Sequence, residues 1–391
     1  MKRSHRGLFI RAAVLGTFLL AESALLWSAS ERIALIRTPD GGIQPRTVTD
    51  AQGAVHMIYF KGDARSGDIF YVRGNAREEG FTAPIRVNSQ AGSAVAIGTV
   101  RGPQIALGKN GRAHVVWMGS EKADPRGPSG STPVLYARLN GAGTAFEPQR
   151  NVVQFAGGLD GGLSVAADKL GDVYVVWHGL GDQKGEEHRR VWIAQSSDDG
   201  RTFARERAAT SEPTGACGCC GMAAWADNGG ALYILFRAAT EKMHRDMVLL
   251  VSRHGGKDFL AARLSKWELN MCPMSTASFT QSRDVVLAAW ERAGQVYFSQ
   301  VGPPLPEGFL SLPAPDDADN RQHPAVARNA EGETILVWAE GTGWAKGGVV
   351  VWQVFDRAGR PTPVRGRADG LPVWGLASVF AEEDGAFTIV Y

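Results

Sequence analysis

The sequence predicts an all-β chain folded as a single β-propeller of four-stranded blades, on three observations. One hairpin pattern recurs seven times. An aromatic closes each copy at a near-constant interval. Glycine and proline (48 and 19 of 391 residues) punctuate the whole length. Periods of this size mark stacked supersecondary units, and many short strands joined by tight turns suit propeller blades.

The copies run in order along the chain. Val48–Gly53 leads into 55–59, Ala106–Gly111 into 113–117, and Ala166–Gly171 into 173–177. Trp225–Gly229 leads into 232–236, and Ala277–Thr280 into 286–290, where Gln281-Ser282-Arg283-Asp284 replaces the glycine turn. Ala327–Gly332 into 334–338 and Phe380–Gly385 into 387–391 complete the set. The closing aromatics stand at 59, 117, 177, 236, 290, 338 and 391, spaced 58, 60, 59, 54, 48 and 53 residues apart. Apolar runs such as Val173-Tyr174-Val175-Val176-Trp177 suit strands buried on both faces. Further strand-like runs at 69–73, 134–138, 191–196, 247–252 and 349–355 bring each unit to blade size. The seventh hairpin ends at Tyr391, and 32–37 could complete it and close a seven-bladed ring. A six-bladed ring with an accessory hairpin is the alternative.

Residues 1–30 read as an export signal, leaving 31–391 as the propeller. Met1–Arg6 is basic, Ala12–Ala21 is apolar, and Ser28-Ala29-Ser30 offers small residues for cleavage. Arg11 and Glu22 leave that apolar core short of the roughly 20 residues that span a bilayer. The expectation is a periplasmic or extracellular protein with no membrane span in the mature chain. The net charge of +2, from 42 basic and 40 acidic residues, gives no footprint for nucleic acid. An envelope protein or a glycan is the expected partner.

Ser196-Ser197-Asp198-Asp199-Gly200-Arg201-Thr202-Phe203 fits the pattern S-x-D-x-G-x-[TS]-[WF], and Ser252–Phe259 is a worn copy with His254 in the Asp position. In this pattern Ser and Asp side chains bond backbone amides of a tight turn, Gly permits the turn, and the aromatic packs between strands. On these residues the chain resembles the sialidase-like BNR, or Asp-box, propeller superfamily across its mature length. The resemblance implies structural roles for Ser196, Asp198, Gly200, Thr202 and Phe203. It also raises an exo-sialidase-type glycoside hydrolase, which needs three arginines to clamp a carboxylate. Arg37, in Ile36-Arg37-Thr38-Pro39, is the nearest match to the first. Arg237 and Arg292 follow the second strands of repeats four and five and could face the channel mouth, or sit solvated on the rim. No Tyr–Glu nucleophile pair can be assigned.

The sialidase pattern does not include the four cysteines. Cys217, Cys219 and Cys220 lie 19, 17 and 16 residues before Phe236, and Cys272 lies 18 before Trp290. These are equivalent positions at the start of innermost strands in adjacent repeats, so the four sulfurs are expected to converge at one end of the channel. Two disulfides are one reading, given an even count in an oxidising compartment. A metal site is another, with Met222, Met271, Met274 and His323 as further ligands, suiting copper better than zinc. A reactive thiol or exchangeable disulfide is the third. The long polar loops 121–131 and 181–190 are candidate lids or partner surfaces, and His178 could face the mouth. Together these features favour a binding or maturation factor over a glycosidase.

Overall fold

The computed structural model describes residues 32–391 apart from 76–79, 211–213, 242, 303–308 and 317–319. The expected export signal lies outside the described residues.

Alternating turns and apolar runs fold into seven sheets. The innermost strands are Ile43–Thr49, Gln104–Leu107, Leu163–Ala167, Ala223–Ala226, Ala277–Ser282, Arg321–Arg328 and Ser378–Ala381. Each pairs antiparallel with the strand that follows it. Each innermost strand also packs on that of the next blade, and the seventh returns to the first. This closed ring is a seven-bladed propeller, as the repeat count requires. Ring closure uses the segment the sequence left over: Ile33–Ile36 pairs parallel with Phe387–Val390, giving the seventh blade a third strand. The six-bladed alternative is thereby set aside.

The hairpin turns explain the repeat's composition. In blade 3 the Asp168 carboxylate accepts the backbone N–H groups of Leu170, Gly171 and Asp172, each at 2.9 Å, while Gly171 takes φ +108°. Blade 5 has no turn glycine, and Arg283 adopts φ +54° instead. The closing aromatics fill the spaces between blades: Trp117, Trp177 and Trp290 have no exposed surface. Each contributes at most about 5 kcal/mol of transfer free energy, taking roughly 200 Å² at about 25 cal/mol/Å². His56 and His114 are packing residues, bonded to Tyr71 and Tyr136 at 2.8 and 2.7 Å.

The turn at Ser196–Phe203 has the bonds its pattern implies. Ser196 Oγ accepts Gly200 N–H at 2.9 Å, and Asp198 accepts Thr202 N–H at 2.9 Å and its hydroxyl at 2.7 Å. Phe203 packs edge-on against Tyr136 of the preceding blade. Ser196 pairs with Val173, beside the Asp168 hairpin and at the opposite end of the blade from the start of the innermost strand. Among the described residues no helix is long and apolar enough to cross a membrane.

Candidate functional site

All innermost strands start at one mouth of the channel, and several leading residues there hold left-handed backbone. Gln44, Thr99, Met274, His323 and Trp374 have φ between +49° and +65°. Gln44 and His323 each precede a proline inside a β-bulge of the innermost strand. Non-glycine residues in this region are strained and persist where surrounding contacts over-determine them. Here those contacts include Gln44 Nε2 donating to the carbonyls of Ala96 and Trp374 at 2.7 and 2.8 Å.

The cysteine turn belongs to this mouth. Cys217 N–H donates to Arg237 O at 2.9 Å, Cys220 N–H to Cys217 O at 3.2 Å, and Gly221 N–H to Ser275 O at 2.8 Å. The turn thus hangs between the end of blade 4's second strand and the lead-in to blade 5. It also presses on blade 3: a side chain at Gly162 would stand 2.6 Å from Cys220 O and from the His178 ring. Cys217, Cys219 and Cys220 are all buried, and their sulfurs lie within 4.8 Å of one another. Cys217 Sγ is 3.5 Å from Cys219 Sγ and 3.2 Å from Cys220 Sγ.

Three sulfurs converge, not four. Cys272 is exposed and stands outside the group, while Ser275, which follows Met274 at φ +49°, is the lead-in residue that reaches the cluster. Met274 packs against the small cluster that the three cysteines form with Ala239. The other expected soft ligands are elsewhere: Met222 is buried in the apolar core between blades 3 and 4, and Met271 is 64% exposed. His323 is buried, with Nδ1 3.4 Å from Thr276 Oγ1, and burial pushes its pKa down to about 4. His178 is buried too: its Nε2 accepts Gly162 N–H at 2.7 Å, and burial, helped by Arg189, brings its pKa to about 4.

A charged shell encloses the sulfurs. Arg237, placed by the sequence either at the channel mouth or solvated on the rim, is 2% exposed. It donates to Ser275 Oγ at 2.8 Å, Arg245 O at 2.7 Å and Glu291 O at 2.6 Å, and its guanidinium lies 4.7 Å from the Trp267 ring centre. Ser275 Oγ in turn lies 3.6 Å from Cys220 Sγ. Glu186, from the loop 181–190, accepts Gly218 N–H at 2.9 Å and pairs with Arg245 at 2.8 Å. Burial raises the Cys220 thiol pKa, but the two neighbouring sulfurs, Arg237 and Ser275 outweigh it and hold it well below the ordinary value. Its neighbours push Cys219 the other way. The Glu291 carboxyl is pushed up to about 8 by burial, against the pull of Arg237. Glu291 Oε2 and Arg245 Nε and Nη1 are buried with no hydrogen-bond partner.

The three candidate arginines form no clamp. Arg37 donates to the carbonyls of Gly370 and Asp369 at 2.7 and 2.9 Å and covers the Tyr391 ring at 4.0 Å, so it pins the ring closure. Arg237 is committed to the cysteine shell. Arg292 is exposed at a strand end. On the outer side of the mouth, Met274, Arg101 and Trp344 all approach Gly98, and Trp344 is 62% exposed.

No protein-family profile and no curated protein matches the chain. Solved structures do. An α-L-arabinanase from Penicillium chrysogenum aligns at TM-score 0.51 and 12% identity over 81% of this chain and 94% of its own. An α-L-arabinofuranosidase from Fusarium graminearum aligns at 0.51 and 9%, over 81% and 93%. A Hadza microbial sialidase, Hz136, aligns at 0.49 and 14%, over 81% and 69%. At these identities what the chain shares with the arabinanase and the arabinofuranosidase is the fold alone.

Proposed function

We propose that this chain is an exported propeller that binds a soft metal ion, copper(I) above all, through Cys217, Cys219 and Cys220, and serves as a binding or maturation factor for an envelope partner. The observation that carries the proposal is the buried group of three sulfurs within 4.8 Å. Thiolates select soft ions. Metal–sulfur bonds of about 2.3 Å place three sulfurs roughly 3.8–4.0 Å apart. The 3.2 and 3.5 Å separations reach that spacing with small rotations about the Cα–Cβ bonds. A closed zinc site takes four ligands. With Cys272 outside the group, three sulfurs suit a trigonal copper(I) ion better. Arg237 and Arg245 are placed to offset the negative charge that three thiolates and a monovalent ion carry.

The runner-up, a glycoside hydrolase of sialidase type, draws on the fold and the Asp-box turn. The commitment of Arg37 and Arg237 to backbone carbonyls weighs against it. Anaerobic titration of reduced protein with copper(I), in competition with a chromophoric chelator, tests the proposal. One ion per chain is expected, bound more weakly in Cys217→Ser, which keeps two thiolates, and with unchanged affinity in Cys272→Ser. An affinity unchanged in Cys217→Ser would overturn it.

A further inference from the structure

The three buried sulfurs are not equivalent in geometry. Cys217 and Cys220 are three residues apart on one turn closed by the Cys220 N–H to Cys217 O bond, and Cys220 is the nearer of the two sulfurs to Cys217, at 3.2 Å. Cys219 lies 3.5 Å from Cys217, with one residue between. A bond between adjacent Cys219 and Cys220 would strain the intervening peptide. A Cys217–Cys220 disulfide needs the sulfurs to close from 3.2 Å to about 2.05 Å on a turn that already brings them together. The sulfur of Cys220 faces the Ser275 hydroxyl, itself held by the Arg237 guanidinium, so a donor and a cation stand beside the atom where an oxidant would react. The three cysteines are 1, 7 and 2% exposed, so the oxidant considered is hydrogen peroxide, which is close to water in size.

We infer that the metal-free site is also a peroxide-reactive dithiol, with Cys220 as the sulfur attacked and Cys217 as the thiol that resolves it. In the first step Cys220 sulfur attacks one oxygen of hydrogen peroxide. The O–O bond breaks, a Cys220 sulfenic acid forms, and the other oxygen leaves as water with the thiol's proton. In the second step Cys217 sulfur attacks the sulfenic sulfur, the S–OH bond breaks, and a second water leaves with the Cys217 proton. The dithiol is oxidised by two electrons and the peroxide reduced by two. The product is a Cys217–Cys220 disulfide with Cys219 free, a state that can no longer supply three thiolates to one ion. The inference does not need the metal proposal to hold, since it concerns the protein stripped by chelator.

The test is one equivalent of hydrogen peroxide added to the reduced, metal-free full chain, followed by intact-mass and peptide mapping. Loss of two hydrogen masses, mapped to a Cys217–Cys220 bond, is expected in the wild type and in Cys219→Ser and Cys272→Ser. Cys217→Ser is expected to accumulate one oxygen on Cys220, trapped by dimedone. Cys220→Ser is expected to give no bond within the cluster. Far-ultraviolet circular dichroism shows whether each variant keeps the β-sheet signal. A bond from Cys219 or Cys272, or oxidation beyond the sulfenic acid without a disulfide in folded wild type, would overturn the inference.

Discussion

Replacing Arg237 by methionine keeps most of the side chain's apolar stem and removes the guanidinium, and its cost can be worked from three contacts. Ser275 Oγ, Arg245 O and Glu291 O each lose a donor at 2.6–2.8 Å in a site where Arg237 is 2% exposed. Leaving a buried acceptor unpaired costs about 1–3 kcal/mol. The Ser275 hydroxyl can rotate to relieve part of its share, so the sum is about 3–6 kcal/mol. That is a large fraction of the roughly 5–15 kcal/mol that stabilises an ordinary folded domain. Lysine would restore the charge but not the three-way fork, and is expected to recover less than half of the loss. Urea denaturation followed by tryptophan fluorescence at fixed pH measures both variants. A loss under about 1 kcal/mol in Arg237→Met, or full recovery in Arg237→Lys, would refute the view that this guanidinium ties blades 4 and 5 together beneath the sulfurs.

Two further outcomes rest on Glu291 and on Arg37. The folded chain holds the Glu291 proton up to a pKa of about 8, whereas the unfolded carboxyl releases it near 4.5, so between those pH values the fold binds more protons and this group's contribution falls as pH rises. Glu291→Gln is therefore expected to gain stability relative to wild type by up to about 5 kcal/mol across that window, and a constant difference between their urea midpoints from pH 5 to 8 would contradict it. Arg37→Ala loses two hydrogen bonds and the cover of Tyr391 at an exposed site, so about 1 kcal/mol of stability with unchanged copper(I) affinity is expected; loss of copper binding would contradict its placement at the ring closure.

The seven blades were legible because each innermost hairpin carries a turn and a closing aromatic in the same order. The closure could be anticipated because one strand-like run near the N-terminus was left without a partner, and Ile33–Ile36 takes that place. The cysteine turn was legible by register alone, since counts of 16 to 19 residues back from Phe236 and 18 back from Trp290 put both cysteine groups at strand lead-ins. Register does not fix the path of a lead-in, however. Met274 takes φ +49°, and the chain arrives at the cluster with Ser275 rather than Cys272. The surrounding charges were not legible. An Arg or Glu at a strand end reads as solvated, and nothing local distinguishes buried Glu291 from exposed Arg292 beside it. Glu186 comes from a loop whose length suggested a lid, but its contact with Gly218 depends on how blades 3 and 4 meet.

X-ray absorption at the copper edge, on full-length protein reduced and loaded with one equivalent of copper(I), tests the metal proposal most directly. A first shell of three sulfur atoms at about 2.2–2.3 Å is expected, reduced to two sulfurs in Cys219→Ser and unchanged in Cys272→Ser. A shell of nitrogen or oxygen donors, or one insensitive to Cys219, would contradict the assignment of Cys217, Cys219 and Cys220 as the metal site.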